Sequence, residues 1–440
     1  MKNFLPTILF LTSLAEIPAA QAAEKADDEE KTFRKDDFSI RPRLGIRLRD
    51  ELRENLNLNQ KANWARDREM LLLRLDAAAE MRWKWLELTA GLTDGRELIH
   101  ETSSGTAELD ITRLYLGLHN PGGIPLWAKL GRQDLGFASQ RLVSSSSWSN
   151  KNRSWDGLSV GTKFSRMSAA MFAASVVEIE SGAVDYGDWD ETLWGAQVQA
   201  EITSEIHIDV YVYGLYKNAW VNEDSPIRGE DGAIGDENRV TPGIRIYGKH
   251  DSPKVAWEVE AAFQVGHKAS DSIHAFAIAA NIDWTMPLAN APKIGLDFNY
   301  ASGDPDPDDS LAQTFVPLYG TTHSPFGIAD LFRWQNMFEV APWFSAALHP
   351  KLTLRLEQHT YWLAETADAW VNSSGKVLRQ GKASASNYAG QEWSIIAVWR
   401  PLDSITVEGG FSKFIPGKFM RDTGDVQSAV FGYLSAAFKY

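Results

Sequence analysis

Residues 40–53 read Ile-Arg-Pro-Arg-Leu-Gly-Ile-Arg-Leu-Arg-Asp-Glu-Leu-Arg, and their polarity alternates almost without interruption. Leu44, Ile46, Leu48 and Leu52 fall on one parity, while Arg41, Arg43, Arg47, Arg49, Arg53 and Glu51 fall on the other. A helix would scatter those arginines around its circumference, whereas a pleated strand sends alternate side chains to opposite faces. The pattern returns in Leu71, Leu73, Leu75, Ala77, Ala79, Met81 and Trp83, set against Arg74, Asp76, Glu80 and Arg82. It returns again from Val255 to Val265, set against Glu258, Glu260 and Gln264. A soluble sandwich produces such alternation in strands of about five or six residues. These runs are 12 to 16 residues long with their flanking positions, more than the ~9–11 that a tilted strand needs to cross a hydrocarbon core.

Strand-like segments of this kind number 18 along the chain, including 125–137, 331–348 and 424–440. Their connections are of two sorts. Long polar ones (54–67, 138–152, 218–238, 303–330 and 365–387) alternate with tight turns such as 120–123, 203–204, 251–252, 349–350 and 401–403. Outer-membrane barrels have this asymmetry, with short periplasmic turns and long extracellular loops. The expected fold is therefore all-β, a transmembrane antiparallel β-barrel of about 18 strands with both termini in the periplasm. The last strand, with Val430, Leu434, Ala436, Phe438 and Tyr440 on one parity, is similar to the C-terminal signal of barrels inserted into that membrane.

Composition fits this reading. Only 44% of residues are hydrophobic and 23% are charged, because half of every barrel strand faces water, so a search for apolar helices finds no spanning segment beyond the N-terminus. There, Lys2, the apolar run Phe4 to Leu14 and the small residues around Ala20-Gln21-Ala22 define a secretory signal peptide over residues 1–22. The mature chain is expected to begin near Ala23, with a short acidic periplasmic tail over 23–38, including Asp27 to Glu30, and a single barrel over 39–440. The absence of cysteine rules out a disulfide staple and a thiolate metal site. The net charge of −14 argues against a nucleic-acid partner.

Which face meets lipid follows from magnitude. An arginine on the lipid side costs about 2–4 kcal/mol at the midplane, so Arg43, Arg47 and Arg49 together would cost roughly 6–12 kcal/mol, comparable to the net stability of a domain. The charged parity must face the lumen. That places Arg41, Arg43, Arg47, Arg49, Arg74, Arg82, Arg245 and Arg355 inside, interspersed with Asp76, Glu80, Glu258, Glu260 and Glu357. Two readings of these residues stand side by side: arginines that select anions, and arginines that form ion pairs within the wall.

One further stretch carries a family resemblance. Gly131-Arg132-Gln133-Asp134-Leu135-Gly136 is followed by Gln140-Arg141-Leu142-Val143, Trp148, Asn150, Arg153 and Trp155-Asp156-Gly157-Leu158. A second stretch holds Ala301-Ser302-Gly303-Asp304, Asp306, Thr314-Phe315, Leu318-Tyr319, His323, Phe326-Gly327, Asp330-Leu331 and Asn336. Together with the terminal strand, these resemble the alginate export family of outer-membrane porins over nearly the whole mature chain. The resemblance implies an 18-stranded barrel that passes a polyuronate through an arginine-rich constriction, with Arg132, Arg141 and Arg153 lining the anion path. Arg43, Arg47, Arg49, Arg74 and Arg355 are further candidates for substrate contact in the lumen. The sequence departs from the family pattern at Phe137-Ala138-Ser139 and at Ser144 to Ser147.

The chemistry suits a conduit. Guanidinium groups donate two parallel hydrogen bonds to a carboxylate, and each exposed pair contributes only ~0–1 kcal/mol, so repeated weak contacts let a polyanion both bind and leave. The expected function is passive export of an anionic polysaccharide such as alginate. The alternative is an anion-selective porin for uptake of small sugar acids or oligosaccharides, and a barrel enzyme is a third class. Against an enzyme, the nine histidines are scattered, no HExxH occurs and no nucleophile elbow is read. No cofactor is expected, with one weak exception. Asp304, Asp306, Asp308 and Asp309, interleaved with Pro305 and Pro307, could offer oxygen ligands to Ca²⁺, although a solvated acidic loop explains them better. Expected partners are the polysaccharide, outer-membrane lipid and lipopolysaccharide, and a periplasmic scaffold protein of a secretion complex. The barrel is expected to be a monomer in the bacterial outer membrane.

Overall fold

The computed structural model describes residues 32–440 apart from 36, 59–67, 100–106, 179–184, 188, 223–224 and 322. The expected signal peptide and most of the acidic tail lie outside the described residues. The chain forms 18 long strands: β1 (Phe38–Glu54), β2 (Arg68–Trp83), β3 (Leu86–Ile99), β4 (Ala107–His119), β5 (Leu126–Gln133), β6 (Trp155–Phe164), β7 (Met167–Val176), β8 (Glu191–Glu201), β9 (Ile206–Lys217), β10 (Glu237–Asp251), β11 (Lys254–Lys268), β12 (Asp271–Thr285), β13 (Lys293–Ala301), β14 (Met337–His349), β15 (Leu352–Trp362), β16 (Tyr388–Leu402), β17 (Ile405–Pro416) and β18 (Ala429–Lys439). Each pairs antiparallel with its neighbours in sequence. β18 returns to β1, with Gly45 opposite Lys439 and Glu54 opposite Val430, which closes the barrel and leaves no free edge among these strands. One short helix, α1 (Lys418–Thr423), sits in the last long connection.

Alternation places the side chains as the sequence implies. Leu44, Ile46, Leu48, Leu52 and Leu75 remain exposed on the outer surface, while Arg49, Glu51 and Arg74 on the opposite parity are buried. An apolar surface this extensive makes sense only against lipid. Exposed aromatic residues flank it. Phe38, Trp83, Trp85, Phe164, Trp284 and Trp399 ring the end with tight turns, and Tyr186, Trp189, Trp220 and Trp393 ring the end with long loops.

The lumen is not simply wet. A large apolar cluster fills part of its extracellular half, where Phe315, Phe326, Ile328, Leu331, Phe332 and Trp334 from the 302–336 connection pack against Tyr361, Phe414 and Trp370. Inward positions near the strand tops carry Ala262, Ala275, Ala277, Ala301 and Met337, which are small or apolar enough to receive these loops. This corrects three expected strand limits. The segment 331–336 is buried loop, and β14 begins only at Met337. β5 ends at Gln133, where the chain turns into the lumen, and β18 begins at Ala429, after α1. In the first two cases apolar residues that read as strand, Leu331, Phe332 and Trp334 and then Leu135, are buried by tertiary packing instead, whereas residues 424–428 ahead of β18 are polar loop with Val426 half-buried.

Candidate functional site

Two connections fold inward and meet. The segment 134–154, between β5 and β6, runs alongside 302–336, between β13 and β14. Ser144 N donates to Tyr319 O at 3.0 Å, Tyr319 N to Leu142 O at 2.9 Å and Thr321 N to Gln140 O at 2.9 Å. The Trp148 ring stacks on His323 with centroids 3.5 Å apart and 9° between planes, and Trp155 meets Tyr319 edge-on at 4.8 Å. His323 in turn reaches Asp330 at 3.1 Å. The two stretches that carry the family resemblance are these two inward segments, joined to each other.

The wall grips them from several sides. On β11, Glu258 and Glu260 accept hydrogen bonds from Arg141, and Glu260 also accepts one from Ser139. On β1 and β2, Arg47 donates to Ser147 O and Ser149 O at 3.2 and 2.9 Å, and Arg49 donates to Trp148 O at 2.8 Å. Arg74 donates to Asn152 Oδ1 at 2.7 Å. The Arg49 guanidinium also lies 3.9 Å over the Trp148 ring and 2.7 Å from Glu51. For the second segment, Tyr361 Oη donates to Phe326 O at 2.9 Å and Ala329 N to Glu392 Oε1 at 3.1 Å. Gly327, with φ +84°, fits between them because a Cβ there would lie 2.5 Å from Tyr361 Oη. The result is an eyelet spanned by a strap whose two ends are tied to different sectors of the barrel.

The expected site residues divide accordingly. Arg43 is the most open, with half its side chain exposed and Glu80 3.6 Å away. Arg47, Arg49 and Arg74 point inward as expected, but their donors hold the strap. Arg141 pins the strap to β11. Arg153 donates to Ser144 O and Tyr319 O at 2.9 and 2.8 Å and stacks on the Tyr319 ring at 4.8 Å. Burial pushes its guanidinium down to about 10, with Glu191 opposing that shift. Arg355 pairs with Glu357 and lies 4.0 Å over Trp343. Arg132 departs from its expected place. It is opposite Leu114 and Asp156, on the parity of the exposed Leu130 and Leu158 and away from the lumen. There it donates twice to Asp156 at 2.9 Å, to Ile111 O at 2.9 Å and to Asp185 O at 2.8 Å. The physical reason is alternation: Arg132 shares the outward parity of Leu130, and one residue before the end of β5 it closes the wall beside the departing loop.

Of the four aspartates considered for Ca²⁺, Asp304 and Asp309 come together with Glu230, their oxygens within 4.8 Å of one another; Asp306 and Asp308 do not join the group. Asp304 is already used, accepting from Asp306 N and Gln313 N at 3.1 and 3.0 Å. One sequence string also needs correction. Gly157-Leu158-Ser159-Val160-Gly161 spells G-x-S-x-G, but it lies inside β6, where Ser159 is buried and donates to Gln133 Oε1 at 2.5 Å. A nucleophile elbow needs a strand-to-helix turn that exposes the serine. Sequence reasoning missed a buried network as well, in which His359 on β15 faces Glu339 at 2.7 Å and Glu357 at 3.4 Å. β14 and β15 are adjacent strands joined by a tight turn, and their pairing, with Glu339 opposite Tyr361, brings these groups to one wall.

A closed barrel of 18 antiparallel strands, apolar outside and narrowed by inward loops, is an outer-membrane porin, a channel of the bacterial outer membrane. Solved structures with the same fold include OccK1 (OpdK) of Pseudomonas aeruginosa, at TM-score 0.61 and 9% identity over 91% of this chain and 98% of that one. OccAB2 of Acinetobacter baumannii gives TM-score 0.61 and 9% identity over 92% and 98%. The Pseudomonas aeruginosa OpdK structure with vanillate gives TM-score 0.62 and 9% identity over 91% and 98%. The chain belongs to the alginate export family, whose family model matches residues 40–433. Among curated proteins none matches it.

Proposed function

We propose that this porin exports an anionic polysaccharide, alginate or a related polyuronate, by passive diffusion through its arginine-rich lumen. The observation that carries the reading is the charge of one wall sector. The inward parity of β1 and β2 presents Arg41, Arg43, Arg47, Arg49, Arg53, Arg74 and Arg82 against only Glu51, Asp76 and Glu80. The chain as a whole is acidic, so this excess of cations is local to the path. Arg43 keeps exposed donors below the strap, positioned to exchange weak contacts with successive carboxylates, while Arg82 beside it is held by Glu80 and Glu87 at 2.7 and 3.0 Å. Family membership supports the same substrate class. In this reading the barrel works as a monomer surrounded by outer-membrane lipid and lipopolysaccharide, with polymer delivered by a periplasmic scaffold.

A second reading, uptake of small carboxylates, is favoured by the strap across the lumen and by the similarity to OpdK, solved with vanillate. The two separate in a planar bilayer. Reversal potential in a salt gradient reads anion preference, and polyuronate added on the periplasmic side reads polymer access. Anion preference with polymer-dependent block that weakens in Arg43→Gln supports export. Anion preference with block by monomeric uronate alone supports uptake, and a cation-selective pore refutes both.

A further inference from the structure

Arg333 differs from the other arginines that line the lumen. It lies at the end of the second inward segment, between two side chains that are fully locked. Phe332 stacks on Tyr361 at 4.0 Å and on Trp370 at 4.6 Å, while Trp334 donates from Nε1 to Tyr300 O at 3.0 Å. With both neighbours fixed, the Arg333 side chain has a set direction of departure from the loop. Its Nε is buried without a hydrogen-bond partner, and no acceptor for its guanidinium occurs among the described residues. The charges near it are cationic. Burial pushes the group down to about 10, with the Arg153 and Arg239 guanidinium groups acting in the same direction.

Neither neighbour can supply the missing anion. Arg153 is held by two main-chain carbonyls, and the carboxylate nearest to it in effect, Glu191, already binds Lys217 Nζ at 2.5 Å and the Tyr319 hydroxyl. Arg239 is occupied by Glu237 and Gln264, both at 2.8 Å. Room is kept at the other end of the guanidinium by Gly375, where a Cβ would lie 2.5 Å from Arg333 Nη1 and where φ is +82°. A partly buried cation with other cations beside it and no carboxylate is unfavourable in the empty protein. The same arrangement favours any oxyanion that enters, because the desolvation has already been incurred and the planar fork is preset.

We propose that Arg333, with Arg153 beside it, forms a carboxylate-binding site on the extracellular side of the eyelet, which holds one uronate carboxylate of the transported anion as it passes the strap. This deepens the proposed function and rests on its premise that the solute is a uronate. Arg333 is the contact residue, Arg153 adds field, and Gly375 provides clearance.

The test uses the full barrel and two readouts. Thermal unfolding is followed in sodium chloride and in sodium glucuronate at equal ionic strength, and current block by glucuronate is measured in planar bilayers. The wild type is expected to unfold at higher temperature in glucuronate, since a ligand bound only to the folded state stabilises it. Arg333→Gln is expected to unfold no earlier than wild type in chloride, to lose the glucuronate increment, and to need at least ten-fold more glucuronate for half block. Gly375→Ala, which keeps the charge but crowds the guanidinium, is expected to weaken block in the same direction and serves if the first variant does not fold. An Arg333→Gln protein with wild-type response to glucuronate overturns the site. Wild-type block by glucuronate that depends on Arg333, without any block by polyuronate, upholds the site and refutes polymer export. Polyuronate block with no dependence on Arg333 for either probe does the reverse.

Discussion

Trp148→Ala should release the strap without unfolding the barrel. The indole makes three contacts that alanine cannot: the stack on His323 at 3.5 Å, an edge contact with Tyr433 at 4.9 Å, and the seat for the Arg49 guanidinium at 3.9 Å. Aromatic pairs of this kind contribute ~0.5–1.5 kcal/mol each, and a partly desolvated cation–π contact about 0.5–2 kcal/mol. The three share one ring and are not additive, so a loss of about 2–4 kcal/mol is a fair expectation. At about 1.4 kcal/mol per factor of ten, the ratio of tied to released strap falls by roughly 30- to 700-fold. The barrel itself should survive, because the β1–β2 and β18–β1 ladders do not involve Trp148. Single-channel recording is the assay. The variant should show new transitions between conductance levels and a larger maximal conductance, with the unfolding midpoint almost unchanged. A trace with the wild-type conductance and no added transitions would refute the idea that this ring ties the two inward segments together.

Four further expectations test the placement of charge. Arg132→Gln should leave anion preference intact but cost about 1.5–3 kcal/mol of stability, as Asp156 loses a charged donor; reversal potential and chemical unfolding measure the two effects. Arg43→Gln should do the opposite, reducing anion preference with little effect on stability, since its ion pair with Glu80 is long and half exposed. Arg141→Gln should cost about 3–5 kcal/mol, because Glu260 is left buried with one cation fewer. Adding Glu260→Gln should recover part of that loss, and a double-mutant cycle of unfolding free energies measures the coupling. Ile46→Arg, on the outer parity, should cost about 2–4 kcal/mol if its position lies near the midplane; unfolding from lipid vesicles that matches wild type would show that this face does not contact lipid.

The sequence by itself determined the wall. Strand identity, strand number and the parity that faces lipid follow from period-two alternation, because each depends only on residues two apart and on the high cost of a charge in hydrocarbon, and the side on which the loops are long follows from the lengths of the connections. Leu44 to Leu52 on β1 therefore point outward as read, and Arg43, Arg47 and Arg49 point inward. The sequence also marked the two segments of the eyelet, through the motif residues Trp148, Tyr319 and His323. It did not disclose that they lie inside the barrel. Leu331, Phe332 and Trp334 look like strand from local pattern alone, and only the packing of Phe332 on Tyr361 and Trp370 shows why they are loop.

Tertiary structure decided what the arginines do. Arg141 meets Glu258 across 117 residues, and Arg47 meets Ser149 across 102; no local rule anticipates such pairs, since they exist only once the sheet has closed and the loop has crossed it. Arg132 shows the limit most clearly: on β5 it shares the outward parity of Leu130, and Asp156, Ile111 O and Asp185 O around it make an expected pore arginine part of the wall. Arg333 shows the converse: an unremarkable residue in sequence becomes a cation with no acceptor among the described residues once Phe332, Trp334 and Gly375 have fixed its surroundings. Alternation fixes which way a side chain points, but the partner it finds there depends on segments far away in the chain, and a charge is defined by its partner.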